Sequence, residues 1–454
     1  MSQLETYITE NEERFLNDLK EWLRIPSIST LPEHADDVSR AAGYAVEQLY
    51  YIGFERVEAI QTQGHPLVYG EWLKAPGKPT LLIYGHYDVQ PVDPVELWQT
   101  PPFEPSVRDG NIYARGACDD KGQVMLVLKA LEALMTVNGA LPVNVKLLLE
   151  GEEEAGGEAI EHYLKTYPER LACDAAFICD THMPAQDIPA LIYGLRGIIY
   201  TEVEAQGARR DLHSGSYGGV APNPLHALAI IIGRLKDADG HIHIPGLYDN
   251  VRKPTHAEKD FWHNDPLHIN EALREEMGVP RLSGELEYPP LERIWGRPTL
   301  EVHGIAGGFV GEGAKTVIPA VAKAKISLRL PPDLKSHDVF ALFEQAVQEV
   351  APPDVKVTVR NLHGGEGVLV SPDSAPIQAA AMALEEVYGK PPVFLREGGS
   401  IPIAALFDDV LHVPVVLMGF GLPDDNLHAP NEKYSLSQFY KGIRTVASFL
   451  QKMA

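Results

Sequence analysis

Apolar residues between Leu4 and Leu23 recur at helical spacing and stop before Pro26. Those from Ala41 to Tyr51 do the same and stop near Gly53, so both segments are predicted helices. The run Pro79-Thr-Leu-Leu-Ile-Tyr-Gly85 is of another kind. It is short, continuously apolar, and bounded by proline and glycine, which predicts a buried strand. Gly122 to Val137 returns to helical spacing. Val143 to Leu149 and Ala175 to Cys179 read as two more buried strands. Strands alternating with helices predict an α/β architecture, an open sheet with helices on both faces.

The pattern changes near Gly194. Ile198 to Ala205, Thr299 to Val302 and Val321 to Leu330 alternate apolar and polar residues, as half-exposed strands do. Helical spacing accompanies them at Pro224 to Leu235 and Ser336 to Val350. Between these, Lys236 to Pro298 is rich in proline, histidine and charge and reads as an irregular excursion. After about Ser371 the first texture resumes: Ala375 to Tyr388 is helical, Val413 to Met418 apolar, and Leu436 to Leu450 a last helix. The expectation is one α/β domain in two pieces, 1–193 and 366–454, with a smaller α+β domain inserted at 194–365.

Composition narrows the function classes. A chain of 454 residues suits two or three domains at roughly 150 residues each. Its net charge of −24 gives no general attraction to nucleic acid or to an anionic membrane. No apolar run approaches the roughly 18 residues that a membrane span needs. The opening MSQLETYITENEERF is polar and acidic, unlike a signal peptide. Three cysteines at no zinc-site spacing argue against a disulfide framework, and a cytoplasmic location is expected. A P-loop, a GxSxG elbow, a dinucleotide fingerprint and HExxH are all missing.

Ligands of open α/β sheets sit at the carboxyl ends of strands. The first strand ends in Gly85-His86-Tyr87-Asp88. His86 and Asp88, two apart on an extended chain, share a side, so a carboxylate could orient a metal-binding imidazole. The second strand runs into Glu150-Gly-Glu-Glu-Glu154. Four carboxylates in five positions repel each other, and a bound cation would relieve them; a solvated turn explains the run equally well. The third ends at Asp180. Asp119 or Asp120 could simply cap the helix at Gly122, and His428 singly reads as a surface histidine. Together, His86, Asp119, Glu154, Asp180 and His428 form a plausible set for two divalent ions with one bridging carboxylate.

At that point the chain resembles a known family, the dinuclear metallopeptidases that include aminoacylase, succinyl-diaminopimelate desuccinylase and glutamate carboxypeptidase. It is most similar to the nonspecific dipeptidase and carnosine dipeptidase branch. The match lies in Tyr84-Gly-His-Tyr-Asp-Val-Gln-Pro91, Arg115-Gly-Ala-Cys-Asp-Asp-Lys-Gly122, Glu150-Gly-Glu-Glu-Glu-Ala-Gly156 and His428-Ala-Pro-Asn-Glu-Lys433. Asp211-Leu-His-Ser-Gly215, Lys315-Thr-Val-Ile-Pro319 and Arg396-Glu-Gly-Gly-Ser-Ile-Pro402 extend it across nearly the whole chain.

The resemblance implies a zinc-peptidase-like open mixed sheet whose inserted domain serves as lid and dimerisation domain. It implies two divalent ions, zinc or manganese, with cobalt also tolerated. His86, Asp119 and Asp180 would hold one; Asp119, Glu154 and His428 the other. Asp88 would orient His86, and Glu153 would be the general base. The extra Glu152 leaves room for a slip of one register; Ala155-Gly156 places the base at Glu153. In a homodimer, His213 would act in trans on the oxyanion, with Thr316 beside it. Arg329 would pair with the substrate's C-terminal carboxylate, and His363 and Ser400 would contact the same end. The implied enzyme is a dipeptidase acting on small peptides. The alternatives are a hydrolase of N-acyl, N-succinyl or carbamoyl amino acids, a non-catalytic metal-binding scaffold, and a two-metal phosphoesterase. His241-Ile-His243 lies in the irregular excursion and reads as loop histidines rather than a further metal site.

Overall fold

The computed structural model describes residues 2–399 and 401–454. It divides into two compact units. One comprises Met1–Tyr193, Val370–Leu395 and Leu406–Ala454; the other comprises Gly194–Leu369 and Arg396–Ala405.

In the first unit, three strands expected from the sequence form the middle of a mixed sheet. Thr80–His86 runs parallel to Asn144–Glu150 on one side and to Ala175–Ile178 on the other. Val415–Leu417 extends the parallel set beyond Ala175–Ile178. Antiparallel strands flank it: Leu67–Trp72, then Glu55–Ile60, at one side, and Ala190–Leu195 at the other. The parallel strands are buried almost from end to end, the pattern of a sheet covered on both faces, which is why they read as apolar runs. Leu67–Trp72 is equally buried but carries Gly70 and Glu71, so its apolar signal is broken.

Helices pack on this sheet. Lys121–Asn138 is buried without a break from Lys121 to Leu134, because Gln3–Glu10, Glu12–Leu23, Ala35–Ile52 and Leu436–Met453 all touch it. The segment expected as one helix over Leu4 to Leu23 is two, separated at Asn11. The helix expected from Ala41 begins at Ala35, after a turn led by Pro32, and Gly53 ends it with a left-handed φ of 100°.

The second unit is a four-stranded antiparallel sheet in the order Thr299–Gly307, Val321–Leu330, Gly197–Gln206, Lys356–Gly365. Helices Pro224–Leu235 and Ser336–Val350 cover one face. Ala322, Ala324, Ile326, Leu328 and Leu330 point into that core; Lys323, Lys325, Ser327 and Arg329 alternate onto the other face. The segment Lys236 to Pro298 corrects its expectation. It holds three helices, His256–Asn264, Ile269–Met277 and Pro290–Trp295. The first is started by a capping box between Thr255 and Glu258. Among the described residues, no helix is long and apolar enough to cross a membrane.

Candidate metal centre

Parallel strands deliver the first unit's polar residues to one edge. His86 ends its strand opposite Glu150, the end of the next, and Asp180 follows two residues after Ile178. Asp119 arrives on the loop leading into the helix Lys121–Asn138. Two glycines let that loop lie close. A Cβ at Gly85 would meet Val124 Cγ2 at 2.4 Å, and one at Gly122 would meet the Ala117 carbonyl at 1.9 Å. His428 arrives on a loop near the C-terminus, with a left-handed φ of 56°.

Asp119 sits between two imidazoles. Its Oδ1 lies 3.0 Å from His86 Nε2, and its Oδ2 lies 2.9 Å from His428 Nε2. Asp180 Oδ2 is 3.8 Å from His86 Nε2; Glu154 Oε1 is 3.3 Å from His428 Nε2. Ligand atoms of His86, Asp119 and Asp180 fall within 4.8 Å of one another, and so do those of Asp119, Glu154 and His428. His86 is fully buried, whereas His428 keeps 55% of its side chain exposed.

Asp88 is buried and faces two ways. Its Oδ1 is 3.4 Å from His86 Nδ1. Its carboxylate also accepts the backbone N–H groups of Glu153 at 3.3 Å and Glu154 at 3.1 Å, holding the turn that carries both glutamates. Glu152 is drawn elsewhere, accepting the His65 N–H at 2.9 Å. Burial, then the charges of Glu154, Asp119 and Asp88, push Glu153 up to about 7, against the opposing pull of His86.

The second unit carries the other candidates. His213 and Thr316 lie together on a short two-stranded ribbon, where the Ser214 N–H donates to the Thr316 carbonyl at 3.0 Å. His213 is exposed, and its Nδ1 accepts the Gly215 N–H at 3.1 Å. In the neutral imidazole, Nε2 then carries the proton and is a donor. Arg329 and His363 lie on the two strands of the four-stranded sheet that flank Gly197–Gln206. The ring of His363 stacks on Tyr200 at 5.2 Å, with His303 on the other side at 5.1 Å. Ser400 lies outside the described residues. His241, Glu285 and Glu287 also cluster. There His241 pairs with Glu287 at 2.6 Å, and Arg297 holds both oxygens of Glu285.

Residues 82–452 match peptidase family M20/M25/M40. The chain belongs to this family. It is an enzyme, a peptidase, and its full-length relatives carry dipeptidase names. It is 34% identical to the Cys-Gly metallodipeptidase dug1 of Schizosaccharomyces pombe, covering all of this chain and 98% of that one. It is 32% identical to the human Beta-Ala-His dipeptidase, covering 99% of this chain and 92% of that one. The structure of human carnosine dipeptidase 1 superposes with a TM-score of 0.84 at 32% identity, covering 100% and 99% of the two chains.

In this M20 peptidase the acidic edge is short of positive charge. Burial, then Asp120 and Asp119, push Asp180 well above the usual carboxylate range. Burial and Asp119 do the same to Asp120, although His86 opposes them. Asp120 Oδ1 and Glu150 Oε2 are buried with no hydrogen-bond partner among the described residues. Asp119 is the exception: burial raises it, but hydrogen bonds from His428 and His86 outweigh burial and hold it low. Those same bonds, with Glu154 adding to the second, push His428 up to about 10. They also carry His86 well above its usual value despite its burial, with help from Asp88. Imidazoles and carboxylates in this arrangement fit divalent cations, which would supply the missing charge.

Glu432 was not foreseen. Fully buried, it accepts the N–H groups of Gly116, Cys118 and Asp119 at 2.9–3.1 Å, and Arg115 Nη1 at 2.8 Å. It thereby fixes the loop that presents Asp119. Gln90, also unforeseen, donates to Glu154 Oε2 at 2.6 Å. Both stand inside the segments that carried the resemblance, but nothing local marks them. Glu432→Ala leaves the Arg115 guanidinium buried without its carboxylate. The expected loss is about 3–5 kcal/mol of stability, measured by denaturant unfolding of the metal-free protein. A loss below about 1 kcal/mol would contradict this account.

Proposed function

We propose that this M20 peptidase hydrolyses dipeptides and other short peptides with a free C-terminal carboxylate, and that it does so with two divalent metal ions. The observation that carries the reading is Asp119, with one oxygen toward His86 and the other toward His428. His86, Asp119 and Asp180 would hold one ion, and Asp119, Glu154 and His428 the other. Ions held by such donors, zinc, manganese or cobalt, acidify an attacking water and polarise the scissile carbonyl. Glu153 takes the proton of that water and passes it to the leaving amine, and Asp88 keeps Glu153 and His86 in place. His213, through its Nε2–H, donates to the developing oxyanion of a partner subunit in a homodimer, with Thr316 beside it. Arg329 pairs with the peptide's C-terminal carboxylate, which suits a planar guanidinium, and His363 contacts the same end. Its cysteines, all free thiols, suit the reducing cytoplasm.

The test is chelation followed by separate return of Zn²⁺, Mn²⁺ or Co²⁺, with assay of a dipeptide panel beside N-acyl amino acids. Metal-restored cleavage of several dipeptides is expected. Restored hydrolysis of the acyl compounds alone would overturn the substrate class.

Metal loading is also expected to release protons. At neutral pH the raised His86 and His428 imidazoles are charged in the metal-free protein and must become neutral to ligate. Affinity therefore rises with pH. Calorimetric titration in buffers of different ionisation enthalpy measures the release, and a buffer-independent heat would refute it.

A further inference from the structure

Glu154 is held from several sides. Its backbone N–H donates to Asp88 Oδ2 at 3.1 Å. Its Oε1 lies 3.3 Å from His428 Nε2, a companion in the second triad. Its other oxygen, Oε2, accepts the side-chain amide N–H of Gln90 at 2.6 Å. The Glu154 side chain is only 4% exposed, so little water competes for that oxygen.

Gln90 reaches Glu154 from a braced segment. Asp88 and Gln90 flank Val89, which is buried, bridges to Ile28, and donates its N–H to the Ser27 carbonyl at 2.9 Å. Residues two apart on an extended chain share a side, so Asp88 and Gln90 both meet Glu154. Pro91 biases Gln90 toward extended backbone. The Pro91 carbonyl accepts Arg115 Nη2 at 3.0 Å, and the Val92 carbonyl accepts Trp98 Nε1 at 2.9 Å. Arg115 is itself paired with Glu432, which fixes the Asp119 loop. The amide that holds Glu154 is thus anchored to the same frame as Asp119.

A carboxylate can grip a cation with both oxygens or with one. To use Oε2 as well, Glu154 would have to give up a buried, charge-assisted hydrogen bond. Asp119 is already divided, one oxygen toward each imidazole. We propose that Gln90 is a positioning residue that confines Glu154 to one-oxygen ligation. The second ion then has three protein donors, Asp119 Oδ2, Glu154 Oε1 and His428 Nε2, and keeps room for water and the scissile carbonyl. The proposal rests on the two-metal reading.

The test loads the metal-free full chain with Co²⁺ and reads its visible spectrum. Six-coordinate cobalt absorbs weakly, because a near-centrosymmetric field forbids the transition; ions of lower coordination number absorb more strongly. The unsubstituted protein should take up two ions and absorb strongly. Gln90→Met keeps the length of the side chain and removes the donor, which frees Glu154 to grip with both oxygens. At full loading its absorption should weaken, while calorimetry finds the second ion bound at least as tightly. Its kcat should fall about 10–100-fold. A merely structural role would lower affinity and leave the spectrum of the loaded protein unchanged. An unchanged spectrum in folded, loaded Gln90→Met, or loss of its second ion, would overturn the proposal and leave the two-metal reading intact. Gln90→Leu repeats the comparison if the first variant does not fold. Weak absorption from both ions of the unsubstituted protein would overturn the proposal without any variant. Failure of that protein to take up two ions would overturn the two-metal reading and the proposal together.

Discussion

Glu153→Gln is expected to cut kcat by roughly two to four orders of magnitude while the protein stays folded and keeps its metals. The substitution preserves size and shape. The turn that carries residue 153 stays anchored, because Asp88 holds its backbone N–H rather than its side chain. Neither candidate metal triad includes Glu153, so metal content should be unchanged. What disappears is the ability to take up a proton. Burial and neighbouring carboxylates raise the Glu153 carboxyl to about 7, the range in which a group exchanges protons readily at neutral pH. An amide has no such capacity. Near-normal turnover, with metal content measured on the same sample, would remove Glu153 from the proton path.

Asp119→Asn should be as severe by another route. Each carboxylate oxygen of Asp119 faces a different imidazole, and both triads share the residue. An amide offers one acceptor oxygen, so either His86 or His428 meets an N–H₂ group instead. The lost negative charge also weakens both sites. Both ions are expected to be lost together and turnover to reach background, read by elemental analysis and peptide hydrolysis. His428→Ala is the contrast, since it touches one triad only. Retention of both ions by the Asp119 variant would refute the shared position.

Much of the site was legible because strands expose it. Thr80–His86, Asn144–Glu150 and Ala175–Ile178 are covered on both faces, so they are apolar runs, and their polar ends stand out. Each of His86, Asp119, Glu154, Asp180 and His428 has an ordinary local explanation, so the candidate set emerges only from taking them together, and the role of each comes from the resemblance. Glu432 was not legible at all. Its four partners lie more than 300 positions upstream, and in sequence it is one glutamate in a polar loop. The helices between Lys236 and Pro298 were hidden for another reason. Ile269–Met277 buries no residue and His256–Asn264 buries only Trp262, and the short stripe Ile269, Leu273, Met277 is easily lost among the surrounding proline and charge. Thr255 and Glu258, spaced as a capping box, were the signal that could have been read.

The tie between Asp119 and His428 joins positions 309 apart, and Glu432 closes the same loop from farther along. A ribosome adding roughly 5–20 residues per second emits Asp119 some 15–60 s before His428. From Asp180 onward His86, Asp119 and Asp180 are all made while the second imidazole is not. On the proposed ligand set, a chain stalled before His428 lacks a ligand of the second ion, so full loading waits on nearly complete synthesis.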